Sequence, residues 1–195
     1  MHRQHSKFDA VVIGASAGGV EALLTLLEDL PESFPAAVLI VLHLPADCRS
    51  VLASVLSNRC SLPIKEAQDK EDIVPGRGYV APPDYHLLVE PDRSLSLSQD
   101  EAVHFSRPSI DLLFESAAWV YRERLLGIVL TGANQDGSAG LKAISEHGGT
   151  TWVQEPADAL ATIMPQAAID AAAPDSVLTL EAMKQKLKRL DRAER

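Results

Sequence analysis

Short apolar runs alternate with amphipathic segments along the whole chain. Apolar runs rich in β-branched residues predict strands at 8–14, 36–43, 125–131, 150–154 and 176–180. Residues 63–67 are predicted to form a short edge strand. Apolar positions at helical spacing predict helices over 19–29, 48–59, 110–122, 138–147, 164–172 and 181–192. Such alternation indicates βαβ units. We therefore expect an α/β fold, a doubly wound, mainly parallel sheet with helices on both faces.

The middle of the chain departs from this pattern. Residues 76–99 alternate apolar and polar positions around a Pro-Asp-Arg turn, which predicts an antiparallel hairpin at one edge of the sheet. Ser109 is the predicted N-cap of the 110–122 helix, which carries Asp111 in its first turn. A proline is expected at the first position of the 164–172 helix.

Length and composition indicate one ordinary globular domain. Residues 1–7 are polar and are expected to form an N-terminal tail. The length of 195 residues suits a single domain, which we place over 8–190. The net charge of −9 argues against nucleic-acid binding, which needs a basic face. No apolar run approaches the roughly 18 residues of a membrane span, and no signal peptide is visible. We expect a cytoplasmic protein without membrane insertion, with Cys48 and Cys60 as free thiols.

The stretch VVIGASAGGVEAL, residues 11–23, places a glycine-rich turn between a strand and a helix. A dinucleotide site needs Gly-x-Gly-x-x-Gly, but the glycines here are at 14, 18 and 19, and His43 rather than an acid ends the second strand. The pattern does fit a nucleophile elbow, Gly-x-Ser-x-Gly, centred on Ser16. We favour the nucleophile, with nucleotide binding as the weaker interpretation.

A nucleophilic serine needs a positioned base. Because the carboxyl ends of parallel strands meet along one edge of a sheet, polar residues that follow buried strands are candidates. Ser16, His43 and Asp136 each follow such a strand and form a candidate Ser-His-Asp set. Structural alternatives stay open: Ser16 as a helix N-cap, His43 as a core histidine and Asp136 as a helix cap. His86, in the hairpin, faces the site or the surface. No His/Cys/Asp/Glu spacing indicates a metal site.

Several ordered motifs resemble the catalytic domain of the chemotaxis protein-glutamate methylesterases, the CheB family. The resemblance covers about residues 8–181 and depends on VVIGASAGGVEAL, VLHLP, GRGYVAPPDYHLLV, RPSIDLLFESAA, GIVLTGANQDGSAGLKAI and MPQAAI. It implies a methylesterase-type catalytic domain in which Ser16, His43 and Asp136 are catalytic. The implied reaction is hydrolysis of glutamate γ-methyl esters on chemoreceptors, which releases methanol, with deamidation of glutamine in many members. No cofactor and no metal are implied.

The chain also departs from the family pattern beside these residues. Ala17 stands where members often have Thr, and Ala133-Asn134 where they often have Met-Gly. Only seven polar residues precede the first strand, so we expect no attached receiver domain.

Substrate and partners are expectations of the same resemblance. Candidate oxyanion or substrate-binding residues are Ala17, Gly18, His86, Ala133 and Met164. The expected partners are a methylated chemoreceptor or another protein ester, and chemotaxis signalling proteins. A serine carboxylesterase acting on another ester and a non-catalytic module that binds a signalling partner remain alternatives.

Overall fold

A seven-stranded parallel sheet forms the centre of the molecule. The structure is a computed structural model that describes residues 7–43, 51–103 and 105–190. The sheet contains β1 (Ala10–Ala15), β2 (Ala37–Leu42), β3 (Ile64–Glu66), β4 (Gly78–Val80), β7 (Leu125–Val129), β8 (Thr150–Gln154) and β9 (Ser176–Leu178). Its order is β3-β4-β2-β1-β7-β8-β9, and every neighbouring pair is parallel. The central strands β1, β2 and β7 are buried along their whole length, as their apolar sequences predict.

Helices cover both faces of this sheet. They are α1 (Gly19–Leu27), α2 (Leu52–Arg59), α3 (Ile110–Tyr121), α4 (Ser138–Glu146), α5 (Ile163–Ala172) and α6 (Leu180–Leu190). One apolar core joins α1, α2 and α6 to Val11 and Ile13 of β1. A second core joins α3, α4 and α5 to Ala10 and Val12 on the opposite face. The predicted doubly wound α/β class is thus confirmed.

The hairpin lies elsewhere than predicted. The segment 76–99 divides into β4, which is a parallel strand of the main sheet, and the pair β5 (His86–Val89) and β6 (Leu95–Ser98). The β5–β6 pair is antiparallel and forms a two-stranded sheet of its own rather than an edge of the main sheet. Pro82 and Pro83 separate the two parts, since proline cannot donate to a strand ladder.

Other boundaries differ by a few residues. Pro165 is the third residue of α5, not the first, and is tolerated because amides of the first helical turn have no partner within the helix. Ser109 caps α3 as predicted, accepting from the backbone N–H of Leu112 at 3.5 Å. Cys60 is a buried free thiol, whereas Cys48 and residues 1–6 lie outside the described residues. Within the described ranges no helix is long and apolar enough to cross a bilayer.

Candidate active site

The three residues of the predicted catalytic set all lie at the carboxyl edge of the sheet. Ser16 follows β1 directly, His43 follows β2, and Asp136 lies in the loop between β7 and α4. Backbone hydrogen bonds continue the strand pairing into these positions, from Ser16 N to Thr131 O at 2.9 Å and from His43 N to Ala15 O at 3.1 Å. The chain leaves β1 to build one side of the sheet and returns to build the other, so the site lies where the strand order reverses.

The turn after β1 leaves the serine hydroxyl free. Gly18 adopts a left-handed conformation (φ 78°) and is the N-cap of α1, so the interpretation of Ser16 as the N-cap is wrong. The Thr131 hydroxyl donates to Ala17 O at 2.8 Å and holds the turn against the end of β7. Ser16 is half-buried. Among the residues that the structure describes, its hydroxyl and the N–H groups of Ala17 and Gly18 have no hydrogen-bond partner. The turn therefore presents one hydroxyl and two backbone donors.

His43 and Asp136 form the central contact of the site. His43 Nε2 lies 2.8 Å from Asp136 Oδ2. The His43 side chain is 11% exposed and that of Asp136 is fully buried. Since a carboxylate can only accept, Nε2 carries the hydrogen, and the accepting lone pair of the neutral ring is on Nδ1. Both ring nitrogens have partners, since Asn134 Nδ2 lies 3.3 Å from Nδ1, but the side chain is partly exposed rather than enclosed in the core. The nitrogen that can accept a proton is Nδ1, whereas in the usual Ser-His-Asp arrangement Nδ1 faces the aspartate.

Asp136 is held as an anion by the first turn of α3. Its carboxylate accepts from Ile110 N at 2.7 Å, Asp111 N at 2.9 Å and the Ser109 hydroxyl at 3.0 Å. Burial alone raises the pKa of Asp136, but hydrogen bonds from His43 and from the two α3 amides outweigh it, so the pKa lies below 3.8. The N-cap of α4 is Gly137. Asp136 does not cap its own helix and instead neutralises the positive end of α3.

Asp111 is a second buried carboxyl beside the first. Its Oδ1 accepts from Gly137 N at 2.9 Å and from Gly140 N at 2.7 Å. Desolvation, together with the charge of Asp136, raises the pKa of Asp111 to about 6. The pair therefore has one carboxyl that ionises readily, Asp136, and one that holds its proton to higher pH. The sequence placed Asp111 only as a first-turn acid of α3, without this contact.

Two glycines allow α3 to pack closely against β1 and the Asp136 loop. A Cβ on Gly14 would lie 2.3 Å from Ile110 Cγ2, and one on Gly137 would lie 2.8 Å from the same atom. Gly137 also has φ 95°, which disfavours any other residue. The first glycine of the elbow thus serves close packing of a helix on a strand. The space beside Gly14 and Gly137 is filled by Ile110, so neither glycine leaves room for a phosphate.

The other predicted candidates occupy different environments. His86 is completely buried, so its interpretation as a surface residue is wrong. Its Nε2 contacts Glu101 O at 3.1 Å, and its Nδ1 accepts from Ser109 N at 3.1 Å, so it supports the residue that binds Asp136. Met164 is 1% exposed, lies against Gly132 and therefore offers little surface to a substrate. Ala133, like Ala17, is exposed at the site.

Asn134 completes the site and was not among the sequence candidates. Its Nδ2 lies 3.3 Å from His43 Nδ1, and its Oδ1 accepts from Asp136 N at 3.1 Å. The available signal was its departure from the family pattern, in which glycine is common at this position. Within the described ranges no group of three or more His, Cys, Asp or Glu side chains is placed to hold a metal ion.

The fold and the arrangement at this edge define an α/β domain of the serine hydrolase class. The family model for CheB methylesterase matches residues 11–187. A Leptospira interrogans protein called putative protein-glutamate methylesterase/protein-glutamine glutaminase is 48% identical over 184 residues, which cover 94% of this chain and 95% of that one. A Trichodesmium erythraeum protein-glutamate methylesterase/protein-glutamine glutaminase is 37% identical over 184 residues, 93% of this chain but only 52% of its own length.

A solved structure agrees with these sequence matches. The CheB methylesterase catalytic domain of Thermotoga maritima superposes with a TM-score of 0.89 and 31% identity, covering 94% of this chain and 98% of that one. The chain belongs to the CheB methylesterase family. Its class is that of the hydrolases of carboxylic esters, and the family predicted from the motifs is confirmed.

Proposed function

We propose that this chain is a protein-glutamate methylesterase that hydrolyses glutamate γ-methyl esters on a chemoreceptor through Ser16, His43 and Asp136. The observation that carries the proposal is the 2.8 Å hydrogen bond between His43 and Asp136, at the same sheet edge as the Ser16 hydroxyl. Membership of the CheB methylesterase family specifies the ester chemistry. Its relatives' names add glutamine deamidation, which is the same acyl transfer with ammonia as the leaving group.

In the proposed mechanism, His43 Nδ1 takes the proton of the Ser16 hydroxyl while Oγ attacks the ester carbonyl. The Asp136 carboxylate keeps the hydrogen on Nε2 and stabilises the imidazolium that forms. The imidazolium then protonates the leaving methoxide, and methanol departs from the tetrahedral intermediate. Water attacks the acyl-enzyme with His43 again as the base, which frees the glutamate carboxylate and restores Ser16.

Backbone donors after Ser16 are suited to the developing oxyanion. The N–H groups of Ala17 and Gly18 are unpaired within the described residues and precede the positive end of α1. Loss of one such donor generally costs about 2.7–4 kcal/mol of transition-state stabilisation. We assign these amides to the oxyanion, and the exposed Ala133 methyl to the wall that contacts the ester.

Exposed apolar side chains beside the turn favour a protein substrate. Leu160 is 82% exposed, and its side chain lies next to Gly18. Ile163, 56% exposed, begins α5, whose Met164 N–H binds Gly132 O in the site loop at 2.9 Å. Apolar groups exposed next to a catalytic turn are suited to contact a macromolecule. We also place the protein in the cytoplasm, where a free thiol such as Cys60 stays reduced.

The test is methanol release from a methylated chemoreceptor cytoplasmic fragment, with wild type compared with Ser16→Ala. We expect release by wild type only, with an unchanged melting temperature for the variant because the Ser16 hydroxyl has no partner in the described structure. Ser57→Ala, on the exposed side of α2, is the matched control and keeps full activity. Release by Ser16→Ala at the wild-type rate would overturn the assignment. Preference of the wild type for short acyl esters would instead indicate a general carboxylesterase.

A further inference from the structure

Asn134 closes a ring of hydrogen bonds around the catalytic histidine. His43 Nε2 contacts Asp136 Oδ2 at 2.8 Å, Asp136 N donates to Asn134 Oδ1 at 3.1 Å, and Asn134 Nδ2 returns to His43 Nδ1 at 3.3 Å. Both ring nitrogens of His43 are therefore engaged, one by a carboxylate and one by a carboxamide. The nitrogen that must accept the Ser16 proton is the one that contacts Asn134.

The direction of each bond in this ring is determined. The backbone N–H of Asp136 can only donate, so the Asn134 atom facing it is the oxygen and the atom facing His43 is the NH₂ group. The carboxylate of Asp136 can only accept, so His43 Nε2 carries the hydrogen and Nδ1 is an acceptor. The Asn134 amide thus donates into the lone pair that the proposed mechanism uses.

We propose that Asn134 is a positioning residue that occupies the His43 Nδ1 lone pair in the resting enzyme and releases it when Ser16 transfers its proton. The inference rests on the proposed function for its catalytic consequence, although the hydrogen-bond ring itself does not. Asn134 is half-buried and lies between the exposed residues Ala133 and Gln135. Its side chain is therefore partly accessible to solvent.

A donor at Nδ1 has a definite electrostatic effect. A protonated His43 carries hydrogen on both ring nitrogens, so its Nδ1–H would face the NH₂ group of Asn134, a donor against a donor. The Asn134 amide therefore stabilises the neutral ring relative to the imidazolium. Among the residues that the structure describes, the titratable groups at the site are Asp136, bonded to Nε2, and Asp111 and Glu115 of α3, which interact electrostatically with Asp136. His86 on β5 reaches the site only through Ser109. A substitution at Asn134 changes none of these side chains, but Asn134→Ala also removes the acceptor of Asp136 N–H.

The experiment compares the wild type with Asn134→Ala and Asn134→Asp in the full chain. Asn134→Ala removes the donor, and Asn134→Asp places an acceptor where the donor was. Nitrogen-15 NMR of the imidazole rings follows the titration of His43 without any substrate, with His86 and His147 as internal references. Asn58→Ala, at the chain's other asparagine, exposed on α2, is the control. Steady-state methanol release as a function of pH provides the catalytic measurement.

We expect the wild-type spectrum to show hydrogen on Nε2 and an accepting Nδ1. A neutral hydrogen bond contributes about 0.5–1.5 kcal/mol, so Asn134→Ala should move the His43 midpoint up by about 0.5–1 pH unit. Asn134→Asp should move it further in the same direction. On the alkaline plateau, kcat of Asn134→Ala should rise about two- to ten-fold, because the lone pair is then free for Ser16. Asn134→Asp should lose activity, because a carboxylate beside Nδ1 favours the protonated ring, which cannot accept the Ser16 proton.

Three results would overturn the inference. The first is a wild-type spectrum with hydrogen on Nδ1 of His43, and the second is a His43 titration midpoint that is the same in all variants. The third is a loss of kcat in Asn134→Ala without a shift of that midpoint, which would indicate that Asn134 has a scaffold role alone. The wild-type spectrum decides the first point even if a variant does not fold. If the midpoints shift but the wild type releases no methanol, the hydrogen-bond ring is correct and the methylesterase proposal fails.

Discussion

The Ser16 turn and the Asp136 loop are built alike but have opposite environments. Each follows a central strand, β1 or β7, and each leads into a helix through a left-handed glycine, Gly18 (φ 78°) or Gly137 (φ 95°). Ser16 is half-buried, and its hydroxyl has no partner in the described part of the chain. Asp136 is fully buried, and both of its oxygens accept hydrogen bonds.

The difference comes from a third element, α3. Its first turn lies over Asp136 and supplies two backbone amides and the Ser109 hydroxyl, whereas no residue in the described ranges donates to the Ser16 hydroxyl. A nucleophile must stay accessible, while a residue that orients a base is most effective when it is rigid and removed from water. The same strand–glycine–helix arrangement thus serves both needs, depending on what packs above it.

The largest effect on activity is expected when the buried Asp136 carboxylate is replaced by an amide. Asp136→Asn would place an NH₂ group either opposite His43 Nε2–H and Ile110 N–H or opposite Asp111 N–H, so that a donor faces a donor in both orientations. In serine proteases the corresponding change lowers kcat about 10⁴-fold through the wrong histidine tautomer, and we expect a loss of that order here. Methanol release measures it, with the exposed Asp170→Asn as control. Retention of more than about a tenth of kcat would remove Asp136 from the mechanism.

A smaller effect, on stability, is expected at the contact between Gly14 of β1 and Ile110 of α3. Gly14→Ala puts a methyl 2.3 Å from Ile110 Cγ2, and overpacking of this kind costs about 3 kcal/mol at the upper end of its range. The displaced α3 amides would also weaken the hold on Asp136. Urea unfolding of Gly14→Ala, Ile110→Ala and the double variant forms a cycle. The double variant should be more stable than the sum of the singles predicts, and strict additivity would refute the contact.

The second buried carboxyl makes stability depend on pH. Asp111 has a native pKa of about 6 against an ordinary value of 3.8, so the native state keeps a proton that the unfolded chain loses between those values. The free energy of unfolding of the wild type should therefore fall as pH rises through this window. Asp111→Asn keeps an acceptor for Gly137 N and Gly140 N and has no proton to lose.

Urea unfolding at several pH values tests this expectation. At neutral pH, Asp111→Asn should be more stable than the wild type by about 3 kcal/mol, and most of the gain should disappear near pH 4. Asp136 acts in the opposite sense. Its lowered pKa stabilises the fold above 3.8, and this contribution is lost as pH falls through its native value. A pH-independent difference between Asp111→Asn and the wild type would contradict the assignment of the proton to Asp111.

The smallest effect is expected at the hydroxyl that joins α3 to Asp136. Ser109→Ala loses one bond to Asp136 Oδ1 and the cap on Leu112 N, a change that costs about 1 kcal/mol. Activity should fall only a few-fold, since two α3 amides still hold the carboxylate. Ser138→Ala, at the exposed start of α4, is the matched control. An activity loss as large as that of Asp136→Asn would show that Ser109, rather than the amides, orients the site.

Local pattern was sufficient for most elements but not for their positions in the sheet. The apolar runs of β1, β2, β7 and β8 and the cap of α3 at Ser109 lie close to where the sequence predicts them. The segment 76–99 was predicted as one hairpin because β4 and β5 share the same period of two. Only pairing with β2 and β3 reveals β4 as a parallel strand, and such long-range pairing leaves no local signal.

The sequence by itself determined the α/β class, the glycine turn around Ser16 and the strand ends that carry His43 and Asp136. These follow from hydrophobic period, turn chemistry and the rule that parallel strands end at one edge. Tertiary structure alone decided which nitrogen of His43 faces Asp136, that Asp111 shares a buried site with it, and that Asn134 reaches Nδ1. Those features depend on distances of about 3 Å between segments far apart in the chain, which only packing can set.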